Sequence, residues 1–196
     1  VSFLTVHSQD GLIDPSFAVN GSFAYSQTNT DSRITSVIPM SDGSILLGVY
    51  QSYGDPLCIK LTNLGQLDNT FANNGIVKVP TGNFTPNNAL LCQTNNGKIV
   101  LAFSTSSKLI LTQFYPNGTI DSTFGSGGKA ILSLSVSSLK LSGMTIDPMN
   151  RIVLASRCYY SSHQSVILAR VDDNGILDIS FGNNGLKTIT LSNKDL

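Results

Sequence analysis

Apolar positions in this chain fall into short runs broken by turn residues, and the same arrangement returns three times. Ser36-Val-Ile-Pro leads through Asp42-Gly43 to Ile45-Leu-Leu-Gly-Val. Ala89-Leu-Leu-Cys leads through Asn96-Gly97 to Ile99-Val-Leu-Ala-Phe, and Met144-Thr-Ile-Asp through Met149-Asn150 to Ile152-Val-Leu-Ala-Ser. Apolar runs on either side of Asp-Gly or Asn-Gly predict a β-hairpin, because a primed turn needs positive φ. Asn150 fills the glycine slot of the third copy, and Asn tolerates that conformation best after Gly. A third strand is expected at Leu57–Leu61, Leu109–Phe114 and Val166–Val171. A fourth is expected at Ile76–Val79, Lys129–Leu132 and Leu186–Leu191. Each period thus holds four short strands and no helical stretch.

Between the third and fourth strands one phrase occurs four times: GLIDPSFAVNG from Gly11, GQLDNTFANNG from Gly65, GTIDSTFGSGG from Gly118 and GILDISFGNNG from Gly175. Its aspartates, Asp14, Asp68, Asp121 and Asp178, stand 54, 53 and 57 residues apart. Four-stranded units repeating in series are the sequence signature of propeller blades. Elementary chemistry accounts for the phrase. The opening glycine permits the turn out of the third strand. The Asp accepts hydrogen bonds from backbone N–H groups two or three residues on, fixing the corner as an Asx-turn. Phe17, Phe71, Phe124 and Phe181 are expected to plug the space between neighbouring blades, where an aromatic ring buries the most area. Gly48, Ala102 and Ala155, small at one place in the second strand, suit backbones that approach closely near an axis.

Phe3–Val6 and Gly21–Tyr25 match third and fourth strands, giving a half-blade over residues 1–26. Full blades follow at about 34–80, 88–133 and 142–191. The expected fold class is therefore all-β: a β-propeller-type repeat of four-stranded blades, about three and a half of them, in one domain spanning 1–196. Closed propellers have four to eight blades. The arc is then part of a larger ring, the remainder supplied by a longer propeller, or it associates with copies of itself as a homo-oligomer, ring or filament. Two copies would together hold the strands of seven blades.

The composite G-x-[LI]-D-x-[ST]-F-[AG]-x-x-G, preceded by a D-G-x-[IL]-[LV] hairpin, resembles the bacterial delta-sixty repeat, a β-propeller repeat. The likeness covers three full copies and the phrase at the start. Departures are Pro15, alanine for the usual glycine at Ala18 and Ala72, and Asn150. The resemblance implies a propeller of exported or cell-surface bacterial proteins, and it carries no catalytic residues to transfer.

Composition narrows the function classes. Basic and acidic residues balance at 12 each, only 12% of residues are charged, and every acid is aspartate. No basic stripe exists to meet a phosphate backbone, so nucleic acid is not an expected partner. The absence of glutamate and the abundance of Ser, Thr, Asn and Gly favour turns and strands over helices. No apolar run reaches the ~20 residues of a membrane-spanning helix. The chain begins at Val1 without an initiating Met, which fits removal of an upstream signal peptide. With the low charge, this points to a secreted, periplasmic or cell-surface location. Cys58, Cys92 and Cys158 form neither a disulfide framework nor a zinc signature. Burial as small hydrophobes is the expectation, and one disulfide between two of them stays open.

Candidate chemistry is thin. His7 and His163 are the only histidines, and no nucleophile-elbow, zincin or P-loop pattern occurs. No catalytic, cofactor or metal residues are therefore assigned, and the protein is not expected to be an enzyme; a propeller hydrolase or lyase is the remote alternative. Asp68 with Asn73 and Asn74, and Asp178 with Asn183 and Asn184, raise Ca²⁺. One Asp per copy falls short of the six to eight oxygens that ion takes. Loops joining second to third strands share one end in a propeller, and here they carry Tyr50, Tyr53, Arg157, Tyr159, Tyr160 and His163. Aromatic faces with polar tips suit a glycan or a protein ligand; mere cover of blade edges is the blander account of the same tyrosines. Three sequons begin at Asn20, Asn83 and Asn117, and matter only in a eukaryotic host. The reading is an exported structural or assembly module that self-associates or binds a partner through edges and loops. A lectin-like glycan- or protein-binding propeller is the alternative.

Overall fold

The structure, a computed structural model, describes residues 2–5, 12–26, 30–82, 84–160 and 163–190. Val1, Val6, His7, Gly11, Asn83 and Leu191, on which parts of the sequence reading fall, lie outside them. The described residues contain fourteen strands and no helix. Strands β1 (Ser2–Thr5) and β2 (Ser22–Tyr25) form a two-stranded first sheet. The second sheet holds β3 (Ser32–Pro39), β4 (Ile45–Gln51), β5 (Leu57–Leu61) and β6 (Ile76–Lys78). The third holds β7 (Leu90–Gln93), β8 (Ile99–Ser104), β9 (Lys108–Phe114) and β10 (Lys129–Ser133), and the fourth β11 (Ser138–Ile146), β12 (Ile152–Tyr159), β13 (Gln164–Val171) and β14 (Leu186–Thr190). All pairings are antiparallel, and each four-stranded sheet is a simple meander in chain order. The protein is all-β, with repeated sheets of the kind the hydrophobic pattern predicted.

First strands are longer than the apolar runs suggested. In β3 the register shifts between Ile34 and Ser36, and in β11 between Leu141 and Gly143. An extra residue, Thr35 or Ser142, breaks the alternation at each bulge, so the polar-looking N-terminal half of the strand escapes a period-two reading.

The hairpin turns also differ from the primed form expected. Met40 and Ser44 are paired through the Met40 N–H, Gly43 N–H returns to Met40 C=O at 3.0 Å, and Gly43 alone has positive φ (82°). Gly97 (φ 82°) and Asn150 (φ 63°) repeat this. Three residues thus separate the paired ends, and only the last must be left-handed: a turn closing on a G1-type bulge.

Alternation along the central strands assigns each face to a neighbouring sheet. Leu46 and Cys58 of the second sheet pack with Leu91, Ile99, Leu101 and Ile110 of the third. Leu47, Val49, Leu57 and Ile59 turn the other way, onto Leu4, Phe23 and Tyr25 of the first sheet. Val100, Ala102, Leu109 and Leu111 meet Leu139, Ile152, Leu154 and Ile167 of the fourth. Three apolar layers therefore separate four sheets, and a ring or aliphatic side chain fully buried in one contributes on the order of 2 kcal/mol.

Candidate functional site

The repeated phrase forms a corner, and its hydrogen bonds are nearly the same in every copy. Asp14, Asp68, Asp121 and Asp178 each accept the backbone N–H two residues on, at 2.9, 3.0, 3.0 and 3.1 Å. Each also accepts the hydroxyl of that same residue, at 2.6 Å. The Phe N–H then returns to the Asp carbonyl, at 2.9–3.2 Å. This is the Asx-turn the sequence pointed to. The Oδ1 of each aspartate is occupied by these chain donors, and no cluster of three or more His, Cys, Asp or Glu side chains occurs among the described residues.

In three of the four corners one bond crosses to the next sheet. The residue after Phe donates its N–H to the carbonyl preceding the next copy's glycine: Ala18 to Leu64 (2.8 Å), Ala72 to Asn117 (2.8 Å), Gly125 to Asn174 (2.7 Å). The Phe ring lies over that glycine. A methyl group placed on Gly118 would come within 2.7 Å of Ala72 Cβ and 3.0 Å of the Phe71 ring, and Gly118 has φ +84°. Glycine is thus required there twice, by conformation and by close approach. Phe17, Phe71 and Phe124 are buried, as the expected plugs. Phe181 is only half-buried, and lies under the Arg170 guanidinium at 4.6 Å. Gly182 N–H, the counterpart of the crossing donors, has no acceptor among the described residues.

A cation joins three of the four aspartates, which the motif did not reveal. Lys60 of β5 reaches Asp68 at 3.1 Å, and Lys98 just before β8 reaches Asp121 at 2.6 Å. Asp178 meets both Arg170 (2.8 Å) and Arg151 (3.3 Å). The cation comes from the third strand in one copy, from the hairpin turn in the next and from both in the last, so no single spacing advertises it. Asp121 is fully buried; burial opposes its charge, but Lys98, Thr123 and the Tyr115 hydroxyl outweigh it and hold the carboxyl far below its usual range. Hydrogen bonds from Thr70 and Ser180 lead the lowering at Asp68 and Asp178, with Lys60 and Arg170 assisting. At Asp14 only Ser16 does so.

Inner strands are stitched across sheets by side chains. Thr35 Oγ1 donates to Ala89 C=O, and Ser36 Oγ accepts Leu91 N–H at 3.1 Å. Asn87 and Asn88 amides donate to Leu139 and Leu141 carbonyls at 3.2 and 3.0 Å. Gly48 sits in this seam: an added Cβ would meet Ala89 O at 3.2 Å and Leu91 Cγ at 3.2 Å. Close approach, expected near Gly48 and Ala102, is thus sheet against sheet; both are buried, whereas Ala155 of the fourth sheet is half-exposed.

The six candidate loop residues form two groups. Arg157 lies over the Tyr159 ring at 5.6 Å, and Tyr160 stacks on His163 at 4.8 Å, all at the β12–β13 end of the fourth sheet. Tyr160 also packs on the apolar layer, so part of that ring is cover for the sheet edge. Tyr50 and Tyr53 belong to the second sheet, and no ring contact joins them to the first group among the described residues. Tyr53 is almost wholly exposed, beside a hollow of about 410 Å³. Tyr50 borders a polar cleft of about 300 Å³ with Arg33, Asn87, Asn88 and Lys140, which bridges the inner strands of three sheets. Asp31 holds Arg33 there, at 2.8 Å. Cys58, Cys92 and Cys158 are buried free thiols in three different sheets. Burial pushes the first two up to about 12, and they serve as small apolar side chains.

The chain matches no protein-family profile and no curated protein.

Proposed function

We propose that this protein is a β-propeller module of about three and a half blades, of the delta-sixty-repeat type. In this reading it works as a structural or assembly element, self-associating or binding a partner through its end sheets and loops and catalysing no reaction. One observation carries it. Positions sealed between sheets inside the chain, such as Ala102, Leu111 and Phe124, are half-exposed at their counterparts Ala155, Leu168 and Phe181. An apolar sheet face left partly open is what a neighbouring unit covers. Location outside the cell belongs to the same reading and draws on composition and on the repeat's resemblance. Electron microscopy of the purified protein tests it: closed rings or filaments are expected, and dispersed single arcs at every concentration would defeat self-association.

A second reading, a lectin-like binder, draws on the Tyr160–His163 stack, the Arg157–Tyr159 pair and the cleft at Tyr50. A glycan array with Tyr159→Ala and Tyr160→Ala variants separates it from the first, since glycan binding lost in both variants is expected of a lectin alone.

A further inference from the structure

Three complete joints lie between sheets within the chain, and each end of the arc carries half of a fourth. On the outer face of the fourth sheet, Ala155 pairs with Leu168 and Leu168 with Lys187. One step along, Arg157 pairs with Val166 and Val166 with Ile189. The third sheet repeats this register: Ala102 with Leu111 and Leu111 with Ala130, then Ser104 with Leu109 and Leu109 with Leu132. Every residue of that third-sheet set is buried, against the fourth sheet. In the fourth sheet Ala155, Val166 and Leu168 are half-exposed, and Ile189 is exposed. Phe181 is half-buried with only the Arg170 guanidinium over its ring, and the Gly182 N–H has no acceptor among the described residues.

The opposite half stands at the other end. Phe3 occupies the place of Leu57 and Ile110, both buried against a preceding sheet, yet it is 65% exposed.

We propose that the fourth sheet of one copy docks head-to-tail on the first sheet of a second copy, repeating the internal joint. The Phe3 of that copy covers Val166 and Leu168, and its first sheet encloses the Phe181 ring. This rests on the self-association reading and names its interface. A heterologous contact of this kind builds rings or filaments according to whether the rotation closes.

Sedimentation and light scattering of the full chain test it with a tail variant, Leu168→Asp, and a head variant, Phe3→Asp. Ile189→Asp serves as a second tail variant at an exposed position, and circular dichroism checks that each variant is folded. The wild type is expected to form assemblies that dissociate on dilution, and each variant alone to lose them. Mixing a head variant with a tail variant is expected to give one-to-one dimers and nothing larger, since one sound joint remains between them. Wild-type assemblies that persist in all three variants would overturn this joint while leaving self-association intact. Variants that stay monomeric and do not pair when mixed would overturn the head-to-tail arrangement, and a wild-type monomer at every concentration would overturn both readings.

Discussion

The Phe124 corner and the Phe181 corner share a sequence motif and an Asx-turn, yet only the first is closed. Phe124 is 1% exposed, its neighbour Gly125 donates to Asn174 across the joint, and Gly175 of the fourth sheet lies against its ring. Phe181 has the same backbone bonds within its own corner but substitutes the Arg170 guanidinium for a neighbouring sheet. The corner therefore folds locally, whereas burial of its aromatic ring depends on what stands next to it. Stability among these stacked sheets draws on nearest-neighbour contacts, as in repeat proteins.

Phe124→Ala and Phe181→Ala put that contrast to its hardest test. Truncating a fully buried Phe costs about 3–5 kcal/mol, so Phe124→Ala should move the urea midpoint strongly. Phe181→Ala, measured in dilute solution, should cost less than about 1.5 kcal/mol, because little area leaves contact. Equal losses would mean that the last corner is sealed as tightly as the internal ones, and the contrast would fall.

Acid provides a second probe. Folding lowers all four phrase carboxyls, most deeply Asp121. A group depressed in the folded state contributes stability that is fully present above its unfolded value, near 4. The contribution is lost as pH falls toward the folded value, since the unfolded chain then binds more protons. Stability should accordingly be flat above about pH 5 and decline below about pH 4. Asp121→Asn should flatten that acid limb and cost about 2–3 kcal/mol at neutral pH by leaving Lys98 without its carboxylate, less than a wholly buried pair because the amine still reaches water. Asp14→Asn, with no cation to strand, should leave the limb nearly unchanged. Urea melts across pH 2–7 decide it, and an acid limb as steep in Asp121→Asn as in the wild type would refute the assignment.

Features held by a single residue type at a fixed interval were legible in the sequence. The four Asp-x-x-Phe corners, the left-handed turn positions and the strand order follow from glycine, Asp and apolar alternation, each a local requirement. What escaped is relational. The aspartate's cation moves between the Lys60 place and the Lys98 place from copy to copy, because either reaches the same carboxylate in space. The bulges at Thr35 and Ser142 hid half of β3 and β11. The cleft beside Tyr50 draws Asn87, Asn88 and Lys140 from two other sheets, and no spacing along the chain marks that meeting. Motif identity made Phe181 look equivalent to Phe124, although exposure belongs to the neighbour and not to the motif.

The smallest effect tests the turn end of the same joint. Asn95 N–H of the third sheet's hairpin donates to Asn150 Oδ1 of the fourth at 2.7 Å, a bond between sheets on an exposed rim. Asn150→Gly keeps the left-handed conformation at no steric cost and removes only the acceptor. The expected loss is about 0.5–1 kcal/mol, the net worth of one such bond. Pro148 occupies the place of Asn95 in the next hairpin and has no N–H to offer onward. Restoring a donor with Pro148→Asn should therefore leave stability in dilute solution within about 0.5 kcal/mol of the wild type, as for a surface change that touches nothing else. If Asn150→Gly were instead as damaging as Phe124→Ala, hydrogen bonds at the rim would govern the joint, and the buried ring would not be its main support.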